Sequence, residues 1–316
     1  MLIVMHHTDT DFYDRLAPGL DNALQSFRVP MYYFLSGLFF KHYSGLVEFL
    51  RRKVNNLIVP FVFFHLLGFV VTAIVHPLLH PGVEFNWQGF SWLVAPLWTR
   101  FWPFTQVLWF LVSLFEVNVI YYYVLSRWLR RWPWRLAVLL LLSVVPLWLA
   151  QRGIALPWML DTALVGLVYF AVGNAVSQAG LLAPHRLDRW GMAVFLPVAV
   201  GVWLTAGHID ILQQQLPSWT QLYLVPVVAI LALLWLCKNV TCRVPVVAVW
   251  GQYSLIVLGT HDLLLTPLDA LLAASAIAPQ PLALLKWGIT MTAMLVIIPL
   301  MVRFLPRFTA QKPLFK

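Results

Sequence analysis

Apolar residues run in long blocks along this chain, and short loops hold most of the charge. A block of about 20 apolar residues is long enough to cross the hydrocarbon core of a membrane as a helix. On that measure the pattern predicts nine full helices, over residues 28–43, 56–77, 106–126, 134–150, 158–179, 189–206, 220–237, 245–268 and 282–305. A stump over Leu2–His7 precedes them. The predicted fold is all-α, a polytopic membrane helix bundle forming one domain over residues 1–316. No period of 20–50 residues repeats, so the chain is no solenoid. Six residues at about 1.5 Å each cover roughly 9 Å, against a core of about 30 Å. The stump is therefore read as an incomplete first helix, with the true start expected upstream.

Composition agrees with the pattern. Of the residues 61% are hydrophobic and 10% charged, against about 25% charged in a soluble domain. Mean hydropathy is +0.80. The net charge of +9 would suggest nucleic acid in a soluble protein, but here the basic residues mark loops. Of the 21 Lys and Arg, 16 fall in one alternating set of loops and 5 in the other. The basic set faces the cytoplasm, which puts the C-terminus inside and His7 outside, with no nucleic-acid partner. Cys237 and Cys242 sit at a cytoplasmic helix end, where a structural disulfide is not expected, and two cysteines alone make no metal site.

Ionisable residues inside apolar runs single out positions for chemistry, because a charge in the bilayer is costly and tends to line a polar cavity. Glu116, His261 and Asp262 are the clearest cases. Asp262 and Asp161 lie nearer the outer interface, where exposure accounts for them. The first outer loop gathers Asp9, Asp11, Asp14 and Asp21, as a solvated loop or as a metal or substrate-hydroxyl site. The outer segment His80–Gln106 carries Trp87, Trp92, Trp98 and Trp102. It suits an interfacial helix or lid, simple anchoring, or a platform for stacking sugars.

A series of short motifs then becomes specific through its order. LIVMHHT, ending at Thr8, looks like the close of a helix of the form VVxGHT. Ser26–Phe40 (SFRVPMYYFLSGLFF) resembles SFHMPLFFFLSGxFF. Phe49–Phe61 (FLRRKVNNLIVPF) resembles FxxKRxxRLLxPY, and Val107–Phe115 (VLWFLVSLF) resembles xLWFLxxLF. Leu160–Asn174 looks like a helix ending FYxxG, and Gly251–Leu265 (GQYSLIVLGTHDLLL) resembles GxxSLxIYLxHxxxL. Together these six resemble the acyltransferase-3 family of membrane acyltransferases, with the sugar O-acetylase branch nearest.

The resemblance implies a bundle that takes an acyl group, usually acetyl, from cytoplasmic acyl-CoA. It delivers that group to a hydroxyl on a surface or lipid-linked glycan, in a bacterial plasma (inner) membrane. Acetyl-CoA is the implied co-substrate, with no metal; the glycan acceptor and membrane lipids are the other partners. The family's catalytic histidine maps to His7. Its basic residues for the CoA phosphates map to Arg51, Arg52 and Lys53, and its second basic position falls on Asn55 or Asn56. Its arginine about ten residues before the histidine would precede Met1.

The chemistry agrees with these residue types. A sugar hydroxyl needs a base of near-neutral pKa, which histidine supplies. His7 and His261 are the candidates. His261 lies sixteen residues past Pro245, about 24 Å along a single helix at about 1.5 Å per residue. That would bring it to the outer half with His7. His6 is adjacent but points about 100° away on a helix. Glu116 could orient a histidine or pair with a base, or be a hydrogen-bonded structural carboxyl. His65 and His76 suit packing. Ser36, Gly37 and Ser254 suit close helix packing better than a covalent acyl-serine, since no nucleophile elbow surrounds them. Arg51–Lys53 would equally serve topology and anionic lipid. The residues leave open a transporter or exporter of a small acylated or sugar-linked substrate, and a catalytically inactive membrane protein.

Overall fold

Long apolar runs have no alternative to helix in lipid, because every backbone donor and acceptor must be satisfied within the segment. The computed structural model describes residues 2–41, 43–79, 106–128, 131–181, 183–184, 186–239, 244–273 and 275–315, and among them helices dominate with no strand. In chain order these are α1 (Leu2–Thr8), α2 (Phe12–Leu16), α3 (Leu20–Leu38), α4 (Leu46–Lys53), α5 (Val59–Leu79), α6 (Trp109–Ile120), α7 (Trp132–Gln151), α8 (Leu160–Gln178), α9 (Gly191–Thr205), α10 (Val225–Asn239), α11 (Pro245–Gln252), α12 (Ser254–Leu272) and α13 (Pro279–Phe304). One turn of wider π-helix, Val54–Ile58, joins α4 to α5 without a break. Residues 80–105 of the Trp-rich segment expected as a lid or anchor, Cys242, and the side chain of His76 lie outside the described residues.

Seven helices among the described residues are long and apolar enough to cross a membrane: Leu46–Val75, Gln106–Ser126, Pro133–Gln151, Pro157–Gln178, Thr220–Lys238, Ser254–Leu272 and Pro279–Phe304. The chain is an integral membrane protein. Two expected spans fall outside that set. The α9 helix has 15 residues. The α3 helix starts eight residues earlier than the apolar pattern implied, and its opening turns carry Asp21, Asn22, Gln25 and Ser26.

The start of α3 has a physical cause. Gly19 adopts φ 77°, a left-handed conformation that glycine takes without a Cβ penalty, and the helix begins after it. The Asp14 carboxylate accepts the Asp21 amide at 3.0 Å. Arg28 and Asp21, seven residues apart, lie on one helix face, and Arg28 Nη2 donates to Asp21 Oδ1 at 3.1 Å. Arg28, expected at the outer edge of the 28–43 helix, is instead buried within α3. Tyr13 lies beside this pair. Burial raises its hydroxyl pKa, the Arg28 charge lowers it and Asp21 adds to the rise.

The chain divides into two compact units, Met1–Phe12 with Ser44–Phe115 and Arg243–Lys316, and Tyr13–Tyr43 with Glu116–Cys242. In the second, α3 packs on α8 at very short range. A Cβ on Gly37 would lie 1.9 Å from the Phe170 carbonyl oxygen, and one on Gly173 would lie 2.0 Å from that of Phe34. The polar groups at this seam are matched. Asn174 Nδ2 donates to the Gly37 carbonyl at 3.3 Å. Its Oδ1 accepts from the Tyr121 hydroxyl at 2.6 Å and from Gln178 Nε2 at 2.7 Å.

In the first unit α12 packs against α5 and α13, and α1 packs against α12 and α13. Gly259 makes the α5 contact possible: a Cβ there would lie 2.3 Å from the Phe64 ring. The expected single helix over 245–268 is two helices, parted at Tyr253 (φ −105°, ψ 29°). The parting falls in the motif Gly251-Gln252-Tyr253-Ser254, where glycine and serine are weak helix formers. Val257 and Ile256 donate to the Tyr253 carbonyl and restart the turn. His261 therefore lies seven residues into α12, about 10 Å along it at about 1.5 Å per residue, rather than sixteen residues into one long helix.

Candidate active site

The first unit brings His7 and His261 together from opposite ends of the chain. Their ring centroids are 5.2 Å apart with the planes tilted by 55°. Val4 and Met5 are the buried residues of α1. His7, on its last turn, stays exposed. The Thr8 hydroxyl donates back to the Met5 carbonyl at 2.5 Å and helps close that turn. His6 makes an edge contact with His7, centroids 5.8 Å apart.

His261 is the opposite case, 0% exposed. Its Nδ1 lies 2.9 Å from the Val257 carbonyl oxygen and 3.0 Å from that of Leu258. Carbonyls only accept, so Nδ1 carries the hydrogen. Nε2 then turns toward Asp262 Oδ1 at 3.2 Å. That contact is close but not aligned as a hydrogen bond, and Nε2 is buried with no hydrogen-bond partner among the described residues. A bare nitrogen lone pair against a carboxylate oxygen repels it. The contact becomes favourable when a cation, a proton or a metal ion, lies between them.

Asp262 is half-buried, so its placement corrects the expectation of simple exposure. The same holds for Asp161, 2% exposed, whose Oδ2 accepts from Gln214 Nε2 at 2.5 Å. Ligand atoms of His7, His261 and Asp262 all lie within 4.8 Å of one another, the only such group of three among the described residues. Glu116 belongs to the second unit. Its Oε2 is buried without a hydrogen-bond partner among the described residues. His65 is 2% exposed and stacks on Phe61, centroids 5.9 Å apart.

The basic group lies at the head of the α4–α5 helix. Arg51 and Arg52 are exposed and Lys53 half-buried. Arg52 Nη2 pairs with Glu48 Oε1 at 2.7 Å, and Lys53 Nζ sits 6.0 Å from the Phe49 ring centre. Glu48 Oε2 also accepts the Ser44 amide, at 2.9 Å, and the Ser44 hydroxyl, at 2.5 Å.

Asn55, one of the two residues on which the motif's second basic position falls, is 3% exposed. Its Nδ2 donates to the Arg51 and Phe315 carbonyls, both at 2.9 Å. Its Oδ1 accepts the amides of Leu314 at 2.8 Å and Phe315 at 2.9 Å. The amide is spent on fixing the C-terminal segment. Sequence reasoning missed this, since a lone Asn near a helix start carries no signal of a partner some 260 residues away.

Residues 1–303 match the family described as the acyltransferase domain of acyltransferase-3 proteins. The chain belongs to the acyltransferase-3 family. It is a membrane acyltransferase, as the order of its motifs implied. Comparison with curated proteins and with solved structures returns no match.

Proposed function

We propose that this acyltransferase moves an acyl group, acetyl in the simplest case, from cytoplasmic acyl-CoA to a hydroxyl of a surface or lipid-linked glycan, with His7 as general base. The observation that carries this reading is the meeting of exposed His7 with buried His261, 5.2 Å between centroids, in a family of acyl transfer enzymes. The acceptor oxygen attacks the thioester carbonyl carbon while a His7 ring nitrogen takes the hydroxyl proton. The tetrahedral intermediate then collapses with cleavage of the C–S bond. CoA leaves as thiolate and takes the proton back from the His7 imidazolium, which yields ester and free thiol. His261, its tautomer set by two backbone carbonyls, positions His7 and the acceptor. The Asp262 carboxylate favours the transient positive charge, as the carboxylate of a catalytic triad does.

Arg51, Arg52 and Lys53 would contact the CoA phosphates from the cytoplasmic side. The enzyme would then lie in a bacterial inner membrane with its C-terminus inside, a reading that the loop charges support. The test compares wild type, His7→Ala and His6→Ala in cells. Alkali-labile acetyl on the surface glycan is read by mass spectrometry, and membrane protein level is measured in parallel. General-base catalysis contributes roughly 10²–10⁴ in rate, so His7→Ala should leave no detectable acetylation at normal abundance, while His6→Ala retains most of it. Near-normal acetylation in His7→Ala removes it as the base.

A further inference from the structure

The geometry of α1 and α12 points to a divalent transition-metal site, zinc in the first instance, built from His7, His261 and Asp262. Three features converge. The first is spacing. Zinc binds nitrogen at about 2.0–2.1 Å and carboxylate oxygen at about 2.0–2.2 Å, so two ligands of one tetrahedral ion stand roughly 3.3–3.5 Å apart. His261 Nε2 and Asp262 Oδ1 stand 3.2 Å apart. The His7 ligand atom lies within 4.8 Å of both, and its exposed side chain can close the remainder by a rotamer adjustment.

The second feature is the outer shell. A metal-bound histidine almost always donates its other ring N–H to a carbonyl or carboxylate, which fixes the ring. His261 Nδ1 already does so toward Val257 and Leu258. The third is the buried Nε2 itself, which has no hydrogen-bond partner among the described residues although it lies inside the protein, where water cannot supply one. A cation there removes the repulsion. Two imidazoles and one carboxylate favour zinc over magnesium or calcium, which prefer all-oxygen shells. Three protein ligands leave a fourth position open, and exposed His7 supplies the path of entry.

The consequence for activity rests on the proposed function. A bound zinc takes the lone pairs that proton transfer needs, so the ion would restrain acyl transfer and a chelator would restore it. The experiment itself is direct binding. Full-length, tag-free protein in detergent is stripped with chelator and titrated with zinc by calorimetry, and with cobalt by visible absorption. The expected result is one zinc per chain at micromolar or tighter Kd, with the strong visible bands of a four-coordinate cobalt site. His7→Ala and Asp262→Asn should each weaken binding at least tenfold, and His6→Ala should not.

Folding of each variant is checked by gel filtration and circular dichroism. If Asp262→Asn does not fold, His7→Ala and the wild-type cobalt spectrum decide. Absence of stoichiometric binding in folded wild type, or unchanged affinity in His7→Ala, overturns the site. Zinc binding in a protein that transfers no acyl group even after chelation would keep this site and refute the proposed function. Transfer without zinc binding would do the reverse.

Discussion

The α3–α8 seam and the α1–α12 cluster are both places where helices come close, and they differ in what they leave unsatisfied. At the seam, backbone meets backbone over Gly37 and Gly173. Asn174, a buried polar side chain there, is bonded through both its oxygen and its nitrogen. At the cluster, helix α12 is seated by a glycine too, Gly259 under Phe64. Two residues later, however, it holds a buried imidazole nitrogen against a carboxylate. A satisfied close contact serves packing. A buried group left wanting a proton or a cation is where chemistry can occur. Motif residues of the first kind should fail by unfolding, and those of the second by losing activity in a folded protein.

The largest effect falls at the seam. Gly37→Leu puts a side chain where even a Cβ has 1.9 Å to the Phe170 carbonyl oxygen. Overpacking usually costs about 1–3 kcal/mol, and more where backbone must yield. No folded protein should be recovered, as read by fluorescence-detected gel filtration. Monodisperse Gly37→Leu would break the comparison.

Next comes the Asp21–Arg28 pair in α3, both side chains at most 10% exposed. Asp21→Asn leaves the Arg28 charge uncompensated, a loss of about 3–5 kcal/mol for a buried pair, and should lower the thermal midpoint sharply. An unchanged midpoint would show the guanidinium to be solvated.

Asn55→Ala removes four hydrogen bonds to backbone and frees the segment at Leu314–Phe315. A buried polar group left unpaired costs about 1–3 kcal/mol. The clearest readout is proteolysis: the C-terminal residues should be trimmed in Asn55→Ala and protected in wild type. The smallest effect is at Arg52, whose pair with Glu48 is largely exposed. Arg52→Gln should shift stability by less than about 1 kcal/mol. Under the proposed function it should still raise the KM for acyl-CoA, more so at low salt. A KM unmoved at two salt concentrations would take Arg52 out of the donor site.

Much of this architecture was legible in the residue pattern because lipid leaves a hydrophobic run few options. The ends of elements were not. The start of α3 hides behind polar residues that look like a loop until Arg28 is seen to bond Asp21 within the helix. The parting of α11 from α12 turns on the backbone angles of Tyr253, which periodicity does not resolve. At the site, His7 and His261 were legible as histidines in apolar or motif context. Asp262 stood out as an ionisable residue in an apolar run, but its burial beside His261 did not, because whether an aspartate at a helix face meets solvent or a neighbouring imidazole depends on side-chain direction. Asn55 was invisible for a related reason, its partners being backbone atoms at the far end of the chain.

The central claim is that His7 and His261 act as one site, and a double-mutant cycle on the transfer reaction tests it most directly. Wild type, His7→Ala, His261→Ala and the double variant are reconstituted in vesicles, each shown to be folded. Labelled acetyl transfer from acetyl-CoA to a glycan hydroxyl is then timed. Residues that act as a unit are strongly non-additive, so the double variant should be no slower than His7→Ala alone, both about 10²–10⁴ below wild type. Losses that multiply, or a His261→Ala enzyme as fast as wild type, would contradict it.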